Sequence, residues 1–187
     1  NPLHEDNYYL AAAILPWNGQ VEASQDVLLP AAKAREWDMW PAFYYAFNAM
    51  YFERDMIKAG QWAEIAAQRH PGNAPALRSM AAAWYERQND SAVALDVLRN
   101  MHAQSTDKDF RQLLEARIAR LEGLLMLRAA LTDFKQQHQG ALPSAWTQLI
   151  GYGGLEAFPE DPLGAGYVLD DKGELQVADH IERRTQE

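Results

Sequence analysis

Cysteine is absent from all 187 residues, so neither a disulfide nor a thiolate metal site can form. Long hydrophobic runs are short of what a membrane needs. The longest uncharged apolar stretch, MWPAFYYAFNAMYF from Met39 to Phe52, has 14 residues, against the about 20 of a spanning helix. It reads as a buried helix. Basic charge is thin: 17 Lys and Arg against 26 Asp and Glu give a net −9, distributed as −4 over 1–105, +1 over 106–140 and −6 over 141–187. With no basic stripe to neutralise phosphates, nucleic acid is excluded as the expected partner. Catalytic signatures are missing too. His4, His70, His102, His138 and His180 are scattered, with no His-Glu-x-x-His pair, and GYGGLE lacks the third glycine of a dinucleotide loop. The sequence therefore predicts no enzyme, no cofactor and no metal, with an enzyme of unknown reaction as the remote alternative.

The chain has ample material for a core. Hydrophobic residues make up 48% and charged residues 23%, and a domain of this length buries roughly 70% of its unfolded surface. The chain opens at Asn1 rather than methionine. An upstream leader or anchor remains open, and it is the one route by which a membrane partner is expected.

Two segments repeat. PAFYYAFNAMYFERDMIKAGQWAEIAAQRHPGN (Pro41 to Asn73) is followed by APALRSMAAAWYERQNDSAVALDVLRNMHAQ (Ala74 to Gln104). Tyr51 and Tyr85 lie 34 apart; Ala59 and Ala94, and Ala66 and Met101, lie 35 apart. A period near 34 with two helices per unit resembles the tetratricopeptide repeat family. Phe43, Ala46, Ala59, Ala66 and Pro71 match its pattern in one unit; Leu77, Met80, Trp84, Ala94 and Met101 match in the next. The family's first-helix glycine is replaced by Phe47 and Ala81. A third hairpin is expected over Asp6 to Arg35, broken at PWNG, with Pro30 kinking its second helix or marking that helix's start. The resemblance implies an α-solenoid whose inner curve grips a peptide, with Tyr44, Asn48, Tyr51, Arg78 and Trp84 as groove candidates. The competing reading makes the aromatic helix a central, buried one.

Residues 106–140 predict a long helix, capped by Thr106 or Ser105 and ended by Gly140. Its apolar stripe is Phe110, Leu113, Leu114, Ile118, Leu121, Leu125 and Phe134, with Gly123 a point of bending or close packing. Beyond it, LPSAWTQLI predicts a short helix from Pro143 and Ser144. YVL and ELQV about the turn DDKG predict a hairpin that must pack on the long helix. Gly140, Leu142, Pro143, Pro159, Asp161, Pro162, Gly164 and Tyr167 resemble the carboxyl-terminal module of type II secretion major pseudopilins. Leu163 and Gly166 depart from its usual Trp and Pro. Arg111, Glu115, Arg117, Arg120 and Arg128 mean that the preceding helix is no apolar membrane stem, so the chain is not itself a pseudopilin. That resemblance implies calcium candidates at Asp161, Asp170 and Asp171, with Glu174 beside them, and an envelope setting, periplasmic or exported, with the cytoplasm as the alternative.

The expected architecture is a mainly α chain: helical repeats over 1–105, then a long helix and small α/β-hairpin cap over 106–187. The expected work is a non-enzymatic scaffold for another protein or peptide segment in pilus, secretion or surface-filament assembly. Self-association as a subunit of a larger complex or filament is the alternative.

Overall fold

The computed structural model describes residues 4–87, 90–170 and 173–178. Among these the chain is mainly helical, with seven α-helices and one two-stranded antiparallel sheet. No helix among them is long and apolar enough to cross a membrane. Two compact units divide between Asp90 and Ser91.

The first unit contains α1 (Glu5–Ile14), α2 (Val21–Ala34), α3 (Met39–Asn48), α4 (Met56–Arg69) and α5 (Ala74–Glu86). A 3-10 turn over Pro16–Asn18 separates α1 from α2, where the PWNG sequence places a break. Pro30 lies inside α2, which continues to Ala34. Proline there forfeits only its own bond to a carbonyl one turn back, so it does not mark the helix start. A π turn over Ala49–Glu53 follows α3.

Small residues set the spacing. Ala59, Gly60, Ala63, Ala66 and Ala67 are the buried residues of α4. A Cβ at Gly60 would run into the Tyr85 ring of α5, so α4 and α5 approach to backbone–ring contact there. Ala32, Met39, Ala42, Ala66, Ala67 and Leu77 form one apolar cluster; Tyr8, Leu28, Ala31 and Tyr45 form another. Asp38 ties the helix ends together. Its Oδ1 accepts the Trp40 N–H at 3.0 Å as the cap of α3, and its Oδ2 accepts from the Tyr8 hydroxyl at 2.7 Å and Arg35 Nε at 3.0 Å. Arg69 Nη1 donates to the Arg35 and Asp38 carbonyls at 3.3 and 3.2 Å, so positions 34 residues apart, the ends of α2 and α4, touch directly.

The second unit contains α6 (Ser91–Gln104), α7 (Lys108–Gln137), a 3-10 turn (Trp146–Leu149), β1 (Tyr167–Leu169) and β2 (Leu175–Val177). The sequence reading divides the chain at 105. In the structure α6 buries Ala94, Leu95 and Leu98 and packs on α7, which assigns it to this unit. The cap of α7 is Asp107, not Ser105 or Thr106. Its carboxylate accepts the Asp109 and Phe110 N–H groups at 3.0 Å, and Ser105 Oγ accepts the Asp107 N–H at 3.3 Å. The 30-residue helix is about 45 Å long. It closes with Gln139 and Gly140 in the left-handed region and the Gly140 N–H bonded to the Lys135 carbonyl at 2.7 Å. Of the expected stripe, Phe110, Leu114, Leu121 and Phe134 are buried, joined by Leu124, Leu127 and Leu131 in place of Leu113, Ile118 and Leu125.

The hairpin pairs Tyr167 with Val177, Val168 with Gln176 and Leu169 with Leu175. It packs on α7, where Arg128 Nε donates to the Leu175 carbonyl at 2.8 Å and Lys135 Nζ to the Gly173 carbonyl at 3.0 Å. Gly123 is a point of close packing: a Cβ there would meet the Tyr167 hydroxyl and lie 3.1 Å from Pro159 Cβ. The short helix expected from Pro143 is instead a 3-10 turn beginning at Trp146. Ala145 is extended, and Gln148 Oε1 takes the Ser144 N–H at 2.8 Å, so no α turn starts there.

Candidate functional site

Along α3, Trp40, Tyr44 and Phe47 recur at spacings of four and three residues, which puts them on one helix face, and Tyr51 follows in the π turn. Trp40 stacks on Tyr44 with centroids 5.7 Å apart and planes at 26°; Phe47 stacks on Tyr51 at 5.6 Å and 8°. Tyr9 of α1 meets Tyr44 edge-on at 5.7 Å. Tyr9, Ala12 and Ala13 of α1 and Phe43, Tyr44, Phe47 and Asn48 of α3 line an open cleft of about 280 Å³. No charged side chain lines it. At one end Trp17 continues the rings, 5.4 Å from Tyr51 and 5.1 Å from Phe52. Trp17, Trp40 and Tyr51 are 60%, 41% and 42% exposed.

The walls are fixed from behind. Asn48 is 2% exposed; its Nδ2 donates to Ser24 Oγ at 3.0 Å, and Ser24 Oγ donates to the Ala11 carbonyl at 3.0 Å. This buried relay links α3, α2 and α1. Burial raises the Tyr44 phenol above its ordinary value, with Tyr9 and Asp38 pushing the same way. Tyr44 therefore keeps its proton and offers a donor at the cleft.

The five groove candidates are thus not brought to one surface. Tyr44 and Asn48 line the cleft, with Asn48 also tied into the core through Ser24, and Tyr51 extends it. Trp84 is 5% exposed within α5, and Arg78 is half-buried on the same helix. Sequence reasoning missed Tyr9, Ala12, Ala13 and Trp17. The period held the signal, since Tyr9 precedes Phe43 by one 34-residue step and Ala13 precedes Phe47 by another.

A second apolar hollow, about 580 Å³, lies between α1 and α2, where Tyr8, Ile14, Leu15, Val27 and Pro30 help to line it. Leu10 and Ile14 are 58% and 48% exposed at this hollow.

In the second unit the calcium candidates serve other partners. Asp161 Oδ1 accepts from Arg120 Nε at 2.7 Å and from the Leu163 N–H at 2.9 Å, and Oδ2 accepts the Gly166 N–H at 2.7 Å. Burial opposes its charge, but the bonds from Arg120, Gly166 and Leu163 outweigh that and hold its carboxyl below the usual carboxylate range. Asp170 Oδ1 accepts the Glu174 N–H at 2.9 Å, and Asp171 lies outside the described residues. Among the described residues no group of three or more His, Cys, Asp and Glu is placed to hold a metal. Three histidines hold local structure. His70 Nδ1 accepts the Asn73 N–H at 3.2 Å, His102 meets Glu115 at 2.9 Å, and His138 meets the Tyr152 hydroxyl at 2.9 Å.

Comparison with known protein families, curated proteins and solved structures finds no match to this chain.

Proposed function

We propose that the chain is a non-enzymatic scaffold of stacked, tetratricopeptide-like helical hairpins that grips another polypeptide in the aromatic cleft between α1 and α3. Two recurrences support the repeat reading. Helices α1, α3 and α5 begin at Glu5, Met39 and Ala74, steps of 34 and 35 residues, and α2, α4 and α6 begin at Val21, Met56 and Ser91, two steps of 35. The observation that carries the binding reading is an uncharged hollow lined by Tyr9, Phe43, Tyr44 and Phe47, which ring contacts extend to the exposed Trp40, Tyr51 and Trp17. Exposed aromatic anchors of this kind dominate binding energy at polypeptide interfaces. The tail's likeness to the pseudopilin module supports an envelope setting, periplasmic or exported, in the assembly of a pilus, secretion or surface-filament system.

The test compares wild type with Tyr51→Ala as bait in a native envelope extract, read by quantitative mass spectrometry. Tyr51 is 42% exposed, so its loss should leave the fold intact. A defined polypeptide should fall at least ~10-fold on the variant, the scale of one interface hot spot. Identical capture by both baits would remove the reading.

One observation favours a second reading, a structural subunit that stacks on a neighbour. Leu10 and Ile14 stand exposed on the α1–α2 hollow, as an uncapped repeat end would.

A further inference from the structure

The two ring pairs along α3 and the π turn that follows it have a spacing that selects an occupant. Trp40 and Phe47, the first member of each stacked pair, are seven residues apart in sequence on α3, and seven residues of α-helix rise about 10.5 Å. A polyproline II strand repeats every three residues, about 9.3 Å. Two prolines three residues apart therefore meet the two ring pairs in register.

Size and charge narrow the choice further. A cleft of about 280 Å³ takes an extended backbone and a few side chains, whereas a helix with its side chains is about 10 Å across. The lining is uncharged, which suits proline and alanine rather than Lys or Glu inside it. One end is positive. The exposed Arg54 guanidinium lies over the Tyr51 ring at 5.7 Å. The two neighbouring carboxylates are already engaged: Glu53 by Lys58 at 2.7 Å, and Asp55 by the Lys58 N–H at 2.9 Å, as the cap of α4.

Resting on the scaffold reading above, we infer that the cleft's ligand is a proline-rich segment in the polyproline II conformation, with prolines three residues apart and an acidic residue at the Tyr51 end. The rings cover the prolines, the Tyr44 hydroxyl donates to a backbone carbonyl of the segment, and Arg54 sets its direction. Such a strand is largely pre-ordered when free, so little entropy is lost on docking.

The experiment uses the full chain against a displayed library of short random peptides, with Trp40→Ala and Tyr51→Ala as counter-screens. Selected peptides are then measured by fluorescence anisotropy. The expected result is binders with prolines at three-residue spacing and a flanking Asp or Glu. Each ring variant should weaken them at least ~10-fold, and Arg54→Gln should weaken them by about threefold, the size of one rim charge. Circular dichroism checks that the variants fold. Binders that depend on Trp40 and Tyr51 but carry no proline spacing would overturn this inference and leave the scaffold reading standing. Binders indifferent to both rings, or no binders at all, would overturn the two together.

Discussion

Asp161 and Arg120 form a buried ion pair in the second unit. Their side chains are 2% and 7% exposed, and the carboxylate also holds the Leu163 and Gly166 N–H groups, so one residue closes the D-P-L-G turn and anchors it to α7. Replacing one member of such a pair strands a buried charge, so Asp161→Asn should cost about 3 kcal/mol in denaturant unfolding. The pH sign follows from the depressed carboxyl. The contribution is complete above the unfolded value, about 3.9, and is lost as pH falls through the lower folded value. Wild type should lose stability as pH falls from about 3.9 towards the lower folded value, and Asp161→Asn should flatten that part of the profile. An unchanged profile would refute the assignment. The turn itself is legible in the sequence, because Asp bonding its own downstream backbone before a Gly is local chemistry. Arg120 is not. It lies 41 residues away, and helical periodicity identifies it only as a charge that rules out a membrane stem.

At the scale of elements, α7 is defined by what lies across it. Its cations serve the tail: Arg120 binds Asp161, and Arg128 and Lys135 hold carbonyls of the hairpin segment. Gly123 makes room for Tyr167, whose hydroxyl donates to the Arg120 carbonyl at 3.1 Å. In an isolated helix Gly→Ala gains about 1 kcal/mol. Here Gly123→Ala should lower the melting temperature, because the added methyl displaces a buried tyrosine, and Tyr167→Phe in the same chain should recover part of the loss. A rise in melting temperature would show that the helix and hairpin do not approach as described. The existence and order of the helices are legible from periodicity, as are the break at PWNG and the hairpin. The π turn after α3 and the close contact of Gly60 against Tyr85 are not. Both depend on packing between helices, which no single segment encodes.

At the scale of the whole molecule, a step of 34 or 35 residues runs through the helix starts from Glu5 to Ser91. The sequence predicts repeats over Pro41 to Asn73 and Ala74 to Gln104 from their common period, and the Asp6 to Arg35 hairpin only from its turn, although Tyr9 and Ala13 stand one 34-residue step before Phe43 and Phe47. The work we propose, gripping another chain, is a class of function the sequence suggests, and the cleft is where we propose that it happens. The aromatic helix is neither wholly core nor wholly groove: Met39, Ala42, Tyr45 and Ala46 face inward while Trp40, Tyr44 and Tyr51 reach the surface or the cleft.

Site-specific photo-crosslinking in the native envelope extract tests this account most directly, with a crosslinking amino acid placed at Tyr44 in one preparation and at Leu10 in another. The account predicts an adduct of a different polypeptide from position 44, displaced by excess unlabelled ligand peptide. An adduct of the chain with itself from position 10, with none from position 44, would contradict it.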